Sequence, residues 1–316
     1  MGCFKAMFQR LCKPRRGGRH LALVAAAILG AGAAGNAFAA ALVLQSDFGL
    51  RDGAVAAMKG VALSVAPDIP LHDLTHEVPP YDIWEAALRL EQVAAYWPAG
   101  TVFVSVVDPG VGTDRRSVVM QTRSGHYFVT PDNGTLTFVA RSLGVEAVRE
   151  IDEAVNRRRD SQASYTFHGR DVYAYTGARL AAGIIGFDEV GPDLEGAYVA
   201  LPFQAAECRD DRCLGTVILA DVRYGNLWTN IGRALFERLG AQPGDRLALH
   251  VRHGEESVLR LELPYQNTFG AVPVGDALLY LNSLGNVAFA INQGSFATVH
   301  GIGSGPGWSV EIARPR

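Results

Sequence analysis

The first half of the chain alternates short apolar runs with segments of helical periodicity. Residues 41–45 form an apolar run suited to a buried strand, and residues 52–65 place Val55, Met58 and Ala62 at helical spacing. The same succession continues to residue 184. It predicts strands at residues 41–45, 69–74, 101–107, 117–122 and 126–130, and helices at residues 52–65, 82–96 and 170–184. Alternating strands and helices predict an α/β domain with a largely parallel sheet over residues 40–195.

The pattern changes near Leu214. From there the chain consists of short β-rich runs punctuated by Gly and Pro, and of its segments only residues 231–239 have a helical pattern. The predicted strands are residues 216–222, 246–251, 257–263, 277–282, 287–291 and 309–313. This composition is typical of a small all-β barrel, so we predict a second domain at residues 212–316 and a linker at residues 196–211.

Residues 1–39 have the order of a secretory signal peptide. A basic stretch ends at Arg19, an apolar run begins at His20, and small residues lead to Ala37-Phe38-Ala39. This order predicts cleavage after Ala39 and export, with the periplasm as the expected compartment. An uncleaved membrane anchor is the alternative, which the Gly- and Ala-rich second half of the segment disfavours.

The cysteines fit an oxidising compartment. Cys3 and Cys12 lie in the predicted signal peptide, whereas Cys208 and Cys213 remain and would close a small loop as a disulfide. Two free thiols are the alternative. A zinc site is disfavoured because no second Cys or His pair lies nearby in the sequence.

The charge distribution makes nucleic acid an unexpected partner. Six of the 29 basic residues and none of the 32 acidic ones fall in residues 1–39, so the rest of the chain is strongly acidic. Binding to phosphate backbones requires clustered Lys and Arg. After signal cleavage, no membrane association is expected either.

Polar residues cluster directly after predicted strands, where open α/β sheets bind ligands. Asp108 ends an apolar strand and enters a Pro-Gly turn, so its carboxylate either faces a cleft or caps the turn. Arg115 and Arg116 either bind an anion or form surface ion pairs. His168, between Phe167 and Gly169, is a candidate general base or a structural histidine.

A metal site is a weaker possibility. His72 and His76 are spaced four residues apart, with Glu77 adjacent. That spacing places two ligands on one side only in a helix, and this segment has the pattern of a strand followed by a turn. We therefore expect no metal.

Taken in order, these segments resemble the S-adenosyl-L-methionine hydroxide adenosyltransferases, relatives of fluorinase and chlorinase. The resemblance covers residues 41–295 and rests on an ordered set of motifs. They are Asp47-Phe-Gly with Asp52, Met58-Lys-Gly, Asp73-Leu-Thr-His-Glu-Val-Pro-Pro, Val106-Val-Asp-Pro-Gly-Val-Gly-Thr, Pro131-Asp-Asn-Gly, Thr166-Phe-His-Gly-Arg-Asp and Tyr224-Gly-Asn-x-x-Thr-Asn-Ile.

The resemblance implies an α/β domain joined to a β-barrel, and a homotrimer whose sites lie between one subunit's first domain and a neighbour's second. It also implies a water-handling triad of Asp108, Arg115 and His168, with Arg116 as the alternative arginine. The implied substrate contacts are Asp47 to the ribose hydroxyls, Tyr81 beside the ribose or sulfonium, Asp52 and Asp221 to the methionine amino group, Asn226 to the adenine edge, and Ser283 to the methionine end.

The implied reaction splits S-adenosyl-L-methionine into adenosine and L-methionine by attack of water on the ribose 5′-carbon. S-adenosyl-L-methionine is then the substrate, and no cofactor is expected. A halogenase of the same fold is the nearest rival. Asp108 and His168 favour water over halide, since desolvating an anion beside a carboxylate is costly. A non-catalytic adenosine or S-adenosyl-L-methionine binder and a metal-dependent hydrolase built on His72 and His76 are further alternatives.

Overall fold

A computed structural model describes residues 40–315, so the predicted signal peptide at residues 1–39 lies outside the described residues. The first domain contains strands and helices in alternation, followed by a hairpin. Its strands are β1 (Leu42–Ser46), β2 (Leu71–Thr75), β3 (Val102–Val106), β4 (Ser117–Thr122), β5 (Tyr127–Pro131) and β6 (Val145–Glu150). Its α-helices are α1 (Ala54–Val65), α2 (Ile83–Ala94), α3 (Thr137–Leu143) and α4 (Tyr175–Ala181).

The six strands form a mixed sheet in the order β2-β1-β3-β5-β4-β6. The pairs β1–β2, β1–β3 and β3–β5 are parallel, but β4 runs antiparallel to both β5 and β6. The prediction of a largely parallel sheet was therefore wrong in part. The predicted hairpin supplies one antiparallel pair, and β6, which the sequence pattern did not reveal, supplies the other.

Helices cover both faces of this sheet, which explains the uninterrupted apolar runs of its central strands. Leu42 and Leu44 of β1 pack with Met58 of α1, whereas Val43, between them, packs with Leu90 of α2 on the opposite face. Successive side chains of a strand point to opposite faces, so every residue of β1 is buried.

The helix predicted at residues 170–184 begins as a π-helix, Gly169–Ala174, and continues as α4. Gly169 lies where a Cβ atom would come within 2.9 Å of the side chain of Val106, at the end of β3. This close approach brings His168, the residue before the π-helix, beside the end of β3. π-helical segments occur frequently at functional sites.

The second domain is an antiparallel sheet that curls into a nearly closed barrel. Its strands are β7 (Glu207–Arg209), β8 (Arg212–Ala220), β9 (Leu227–Gly232), β10 (Arg246–His253), β11 (Glu256–Pro264), β12 (Ala277–Leu281), β13 (Asn286–Ile291) and β14 (Trp308–Ala313). They follow the order β11-β10-β14-β8-β9-β13-β12, with β7 beside β8. A bridge between Tyr265 and Leu279 connects the two ends of this order. Phe236, Phe289 and Phe296 lie in the barrel core.

One prediction in this half needs correction. The segment 231–239 is not one helix, because β9 extends to Gly232 and is followed by the short α5 (Arg233–Phe236) and a 3-10 turn at Glu237–Leu239. The predicted linker contains β7, which pairs with β8. Cys208 of β7 and Cys213 of β8 are directly opposed and joined by a disulfide. A further short helix is α6 (Phe296–His300).

The two domains contact each other through α2 and β8. The indole Nε1 of Trp84 donates a hydrogen bond to the carbonyl of Ile218 at 2.9 Å, and Phe138 and Phe203 pack edge-on against the same indole. Within residues 40–315, no helix is long and apolar enough to cross a membrane.

Candidate active site

The carboxyl edge of the mixed sheet opens into a cavity of about 290 Å³. The end of β1 supplies Asp47 and Phe48 to its wall, and the end of β3 supplies Val106 and Asp108. Since the carboxyl ends of parallel strands meet at one edge, the sheet brings together residues that are far apart in the chain. The remaining lining residues are Pro80, Tyr81, Val111, Thr166, Phe167, His168 and Gly169.

Asp108, which lines the cavity, forms a two-pronged ion pair with Arg115. The Nε atom of Arg115 donates to Oδ1 of Asp108 at 2.9 Å, and Nη2 donates to Oδ2 at 2.6 Å. Burial alone lowers the pKa of Arg115, but its hydrogen bonds to Asp108 hold that pKa above the ordinary value. The pair therefore presents a fixed carboxylate beside a permanent positive charge.

His168 joins this pair through the same guanidinium. Nη2 of Arg115 lies 2.9 Å from Nδ1 of His168. Because arginine only donates, Nδ1 must accept, and the ring proton of a neutral His168 lies on Nε2. Burial lowers the pKa of His168 against the opposing charge of Glu153, and the Arg115 cation acts in the same direction as burial, which agrees with a neutral ring. Its Nε2 is buried and makes no hydrogen bond within residues 40–315.

The structure distinguishes the two adjacent arginines. Nε of Arg116 donates to Oδ2 of Asp132 at 3.0 Å, on the other side of the strand that begins at Ser117. The second oxygen of Asp132 accepts from the backbone N–H of Val199. Arg115, not Arg116, is thus the arginine in contact with Asp108 and His168.

Ser117 and Tyr173 complete a ring of hydrogen bonds that the sequence did not reveal. Nη1 of Arg115 is 3.0 Å from Oγ of Ser117, which is 3.1 Å from Oη of Tyr173, which in turn is 3.5 Å from Oδ2 of Asp108. An arginine only donates and a carboxylate only accepts, so donation runs from Arg115 through Ser117 and Tyr173 to Asp108. Burial and the charge of Asp108 raise the pKa of Tyr173, which keeps it a donor.

Asp47 and Tyr81 lie together at the cavity mouth. Oδ2 of Asp47 accepts the backbone N–H of Tyr81 at 2.9 Å. Tyr81 has a φ of 68°, a conformation that is costly for a residue with a side chain, and the residue is 72% exposed. Phe48 and Phe167 pack edge to face and form an apolar wall. Asp52 is exposed, accepts the N–H of Ala54 at the start of α1, and is not among the lining residues of the cavity.

The candidates from the second domain lie elsewhere. Asn226 lines a separate cavity of about 570 Å³ in the barrel, together with Arg223, Tyr224, Phe269, Ile291, Asn292, Gln293, Gly294 and Ser295. Asp221 accepts the N–H groups of Arg223 and Tyr224 and so shapes the turn before β9. Ser283 is exposed in the turn between β12 and β13. The described linings of the two cavities share no residue.

The histidines considered as metal ligands have other partners. The ring of His72 packs against Trp97, with centroids 5.2 Å apart, and His76 hydrogen-bonds Ser46 and Asp73. Among residues 40–315, no three His, Cys, Asp or Glu side chains are grouped so that they could hold a metal ion.

Family models match both domains. The model of the S-adenosyl-L-methionine (SAM) hydroxide adenosyltransferase N-terminal domain matches residues 42–191, and that of the C-terminal domain matches residues 215–309. The chain belongs to the SAM hydroxide adenosyltransferase family.

Relatives within this family differ in their named activity. The (R)-S-adenosyl-L-methionine hydrolase of Salinispora arenicola is 38% identical, over 80% of this chain and 90% of its own. A fluorinase of Nocardia brasiliensis is 31% identical, over 86% of this chain and 96% of its own. The crystal structure of an uncharacterized conserved protein from Thermotoga maritima superposes with a TM-score of 0.78 at 34% identity, covering 86% of this chain and 100% of that one. The adenosyltransferase fold thus extends over most of this chain.

Proposed function

We propose that this adenosyltransferase is a SAM hydrolase, which uses water to split S-adenosyl-L-methionine into adenosine and L-methionine. The observation that carries the proposal is that Asp108 and His168 line the first cavity and are both in contact with Arg115. Three relatives named (R)-S-adenosyl-L-methionine hydrolase are 35–38% identical to this chain.

The chemistry requires little of the enzyme beyond holding a water molecule in line. As the water oxygen bonds to the ribose 5′-carbon, the carbon–sulfur bond breaks and its electron pair leaves with the sulfur of methionine, which becomes a neutral thioether. No acid is needed for this leaving group. The enzyme therefore contributes orientation, exclusion of bulk water and a group that accepts one proton.

Asp108 is the better proton acceptor, although His168 was the candidate base in the sequence. With Nδ1 of His168 occupied by Arg115, its Nε2–H is a donor and can only orient the oxygen of the water. Oδ2 of Asp108 accepts from both Arg115 and Tyr173, but Oδ1 accepts only from Arg115 and retains a free lone pair. A water that has bonded to carbon is strongly acidic, so even a carboxylate paired with arginine can take its proton.

The same carboxylate weighs against the halogenase alternative. A halide seated at the floor of this cavity would lose its hydration beside Asp108, whose side chain is only 6% exposed. The Arg115 cation is already paired with both oxygens of that carboxylate and offers the halide little compensation, whereas a neutral water gains hydrogen bonds there. Because a fluorinase is among the relatives, the activity assay must also be run with added chloride and fluoride.

We further propose that the substrate is held between two subunits of a homotrimer. Asp47 and Tyr81 would bind the ribose side from the first cavity, and Asn226 would read the adenine edge from the second cavity of a neighbour. Asp52, Asp221 and Ser283 would bind the methionine portion. Both cavities are lined in part by exposed aromatic side chains, Tyr81 at the first and Tyr224 and Phe269 at the second, and exposed apolar surfaces are typical of interfaces.

Export to the periplasm is part of the same proposal. It rests on the composition of residues 1–39 and agrees with the Cys208–Cys213 disulfide, because disulfides persist in oxidising compartments.

Incubation with SAM and chromatography of the products tests the function. We expect adenosine and methionine in equal amounts, with no 5′-halogenated adenosine when chloride or fluoride is added. Asp108→Ala should lower the rate by roughly 10²–10⁴, the usual worth of a positioned acid–base group. Asp114→Ala is the matched control, because Asp114 is exposed in the same loop. Unchanged SAM would favour a binding protein, and a halogenated product would favour the halogenase.

A further inference from the structure

A chain of hydrogen bonds runs from the buried Ser46 through His76 and Asp73 to Lys59 at the surface. Oγ of Ser46 is 2.7 Å from Nδ1 of His76, and Nε2 of His76 is 3.1 Å from Oδ1 of Asp73. Nζ of Lys59 donates to the other oxygen of Asp73 at 2.7 Å. Ser46 is fully buried and His76 is 3% exposed, whereas Asp73 and Lys59 reach the surface.

The direction of each bond follows from the chemistry of the partners. A carboxylate only accepts, so His76 donates to Asp73 from Nε2 and accepts from the Ser46 hydroxyl at Nδ1. Burial lowers the pKa of His76, which agrees with this neutral tautomer. Oγ of Ser46 in turn accepts the backbone N–H of Phe48 at 3.3 Å. The order Ser-His-Asp is that of a hydrolase triad, but this hydroxyl is closed off from solvent and cannot meet a substrate.

The chain connects the two loops that form one side of the cavity. Asp47 and Phe48 follow Ser46 directly, and Pro80 and Tyr81 lie a few residues after His76. The two loops are joined again by Gly49 N–H to the carbonyl of His76 at 2.7 Å. They meet a third time at the bond between Asp47 and Tyr81 N–H.

We propose that His76 is a positioning residue for the substrate, acting through Ser46 to fix the Asp47–Phe48 corner against the Tyr81 loop. It does not line the cavity. The inference rests on the proposed function, since it assumes that Asp47 and Tyr81 bind the ribose side. The carboxylate of Asp47 would accept hydrogen bonds from two ribose hydroxyls. A shift of its backbone would weaken both bonds at once, because both depend on the orientation of the same carboxylate.

Two substitutions of His76 separate its two hydrogen bonds. In His76→Asn the side-chain oxygen occupies the place of Nδ1 and still accepts from Ser46. In His76→Gln the side-chain amide reaches the place of Nε2 and still donates to Asp73, but nothing accepts from Ser46. Ser46→Ala removes the same bond from the other side and supplies a test if a His76 variant fails to fold.

Adenosine binding by calorimetry is the primary measurement, because it needs no turnover. We expect His76→Gln and Ser46→Ala to weaken adenosine binding about tenfold, the worth of one buried hydrogen bond, and His76→Asn to stay within about threefold of wild type. For SAM turnover, KM should rise in the first two variants while kcat changes less. A merely structural histidine would instead lower the melting temperature of both His76 variants with equal adenosine affinity.

Adenosine affinity that is unchanged in His76→Gln and Ser46→Ala, or lowered equally in His76→Asn and His76→Gln, would overturn the positioning role. Failure of the proposed function has a different signature. Wild-type protein would then bind adenosine without consuming SAM, and the comparison of the His76 variants would still decide their role in binding.

Discussion

At the scale of single residues, Asp108, Arg115 and Arg116 were evident from the sequence as candidates for the site, but the directions in which their side chains point were not. Asp108 at a strand end was a recognisable candidate, because a carboxylate after a buried strand must lie at the sheet edge. Whether Arg115 or Arg116 would contact it was open. Neighbouring residues in an extended segment point to opposite sides, and the partner that binds Arg116 is Asp132, which is distant in sequence.

Substituting the two arginines separately should give opposite phenotypes. Arg115→Lys keeps a charge but loses the planar fork that joins Asp108 to His168, so we expect turnover to fall about a hundredfold with the fold intact. Arg116→Ala should leave turnover nearly unchanged but lower the free energy of unfolding by roughly 1–3 kcal/mol, because the buried Asp132 carboxylate loses its charged donor. Steady-state kinetics and denaturant unfolding of both variants measure the two effects. Loss of turnover in Arg116→Ala alone would reverse the assignment.

Ser117 and Tyr173 show where prediction at this scale ends. Tyr173 is fully buried in the π-helix, and in the sequence it is indistinguishable from an ordinary aromatic core residue. Its hydroxyl becomes part of the site only because β4 places Ser117 beside it. Such a contact depends on tertiary packing and has no local signature.

At the scale of elements, periodicity predicted the buried strands and the long helices, and it failed where strands are short or half-exposed. β1 and β3 are apolar throughout, so their positions were evident. β6 has charged residues at three of its six positions, Glu146, Arg149 and Glu150, and lies at the sheet edge. Missing it concealed the antiparallel part of the sheet. The sequence pattern also did not reveal β9. Most of this strand lies in the motif that begins at Tyr224, and its last two residues lie in the helix predicted at residues 231–239.

The loop between Asp108 and Arg115 depends on a close approach that only glycine permits. Gly112 has a φ of 78°, and a Cβ atom there would lie 2.9 Å from the backbone oxygen of Tyr165. Gly183 has a φ of 66° but open space around it, so Gly183→Ala is a control with the same backbone cost and no clash. Each substitution should cost about 1–2 kcal/mol for the left-handed conformation. Gly112→Ala should also reduce kcat well below that of Gly183→Ala, because displacing the loop moves Asp108 and Arg115. Equal kcat values in the two variants would contradict this role of Gly112.

At the scale of the whole molecule, the change of pattern near Leu214 was enough to predict two kinds of architecture. The division of the candidate site residues between two cavities could not be predicted from that change of pattern. The structure of one chain brings Asp47, Tyr81, Asp108 and His168 to one cavity and leaves Asn226 in another. The proposed trimer would bring the first cavity of one copy together with the second cavity of its neighbour.

Mixing inactive variants tests that arrangement directly. Asp108→Ala disables the first cavity and Asn226→Ala the second, so each homotrimer should be poorly active below saturating SAM. In a trimer whose sites lie between neighbours, co-expression in equal amounts should restore about one quarter of the wild-type activity, the fraction of sites with both groups intact under random assembly. Asp108→Ala mixed with His168→Ala is the matched control, because both groups belong to the same domain of one subunit and no mixed site regains both. If each site lay within one chain, the first mixture would show only the mean of its two components. Restoration in the first mixture alone would instead place Asp108 and Asn226 of different subunits in one site.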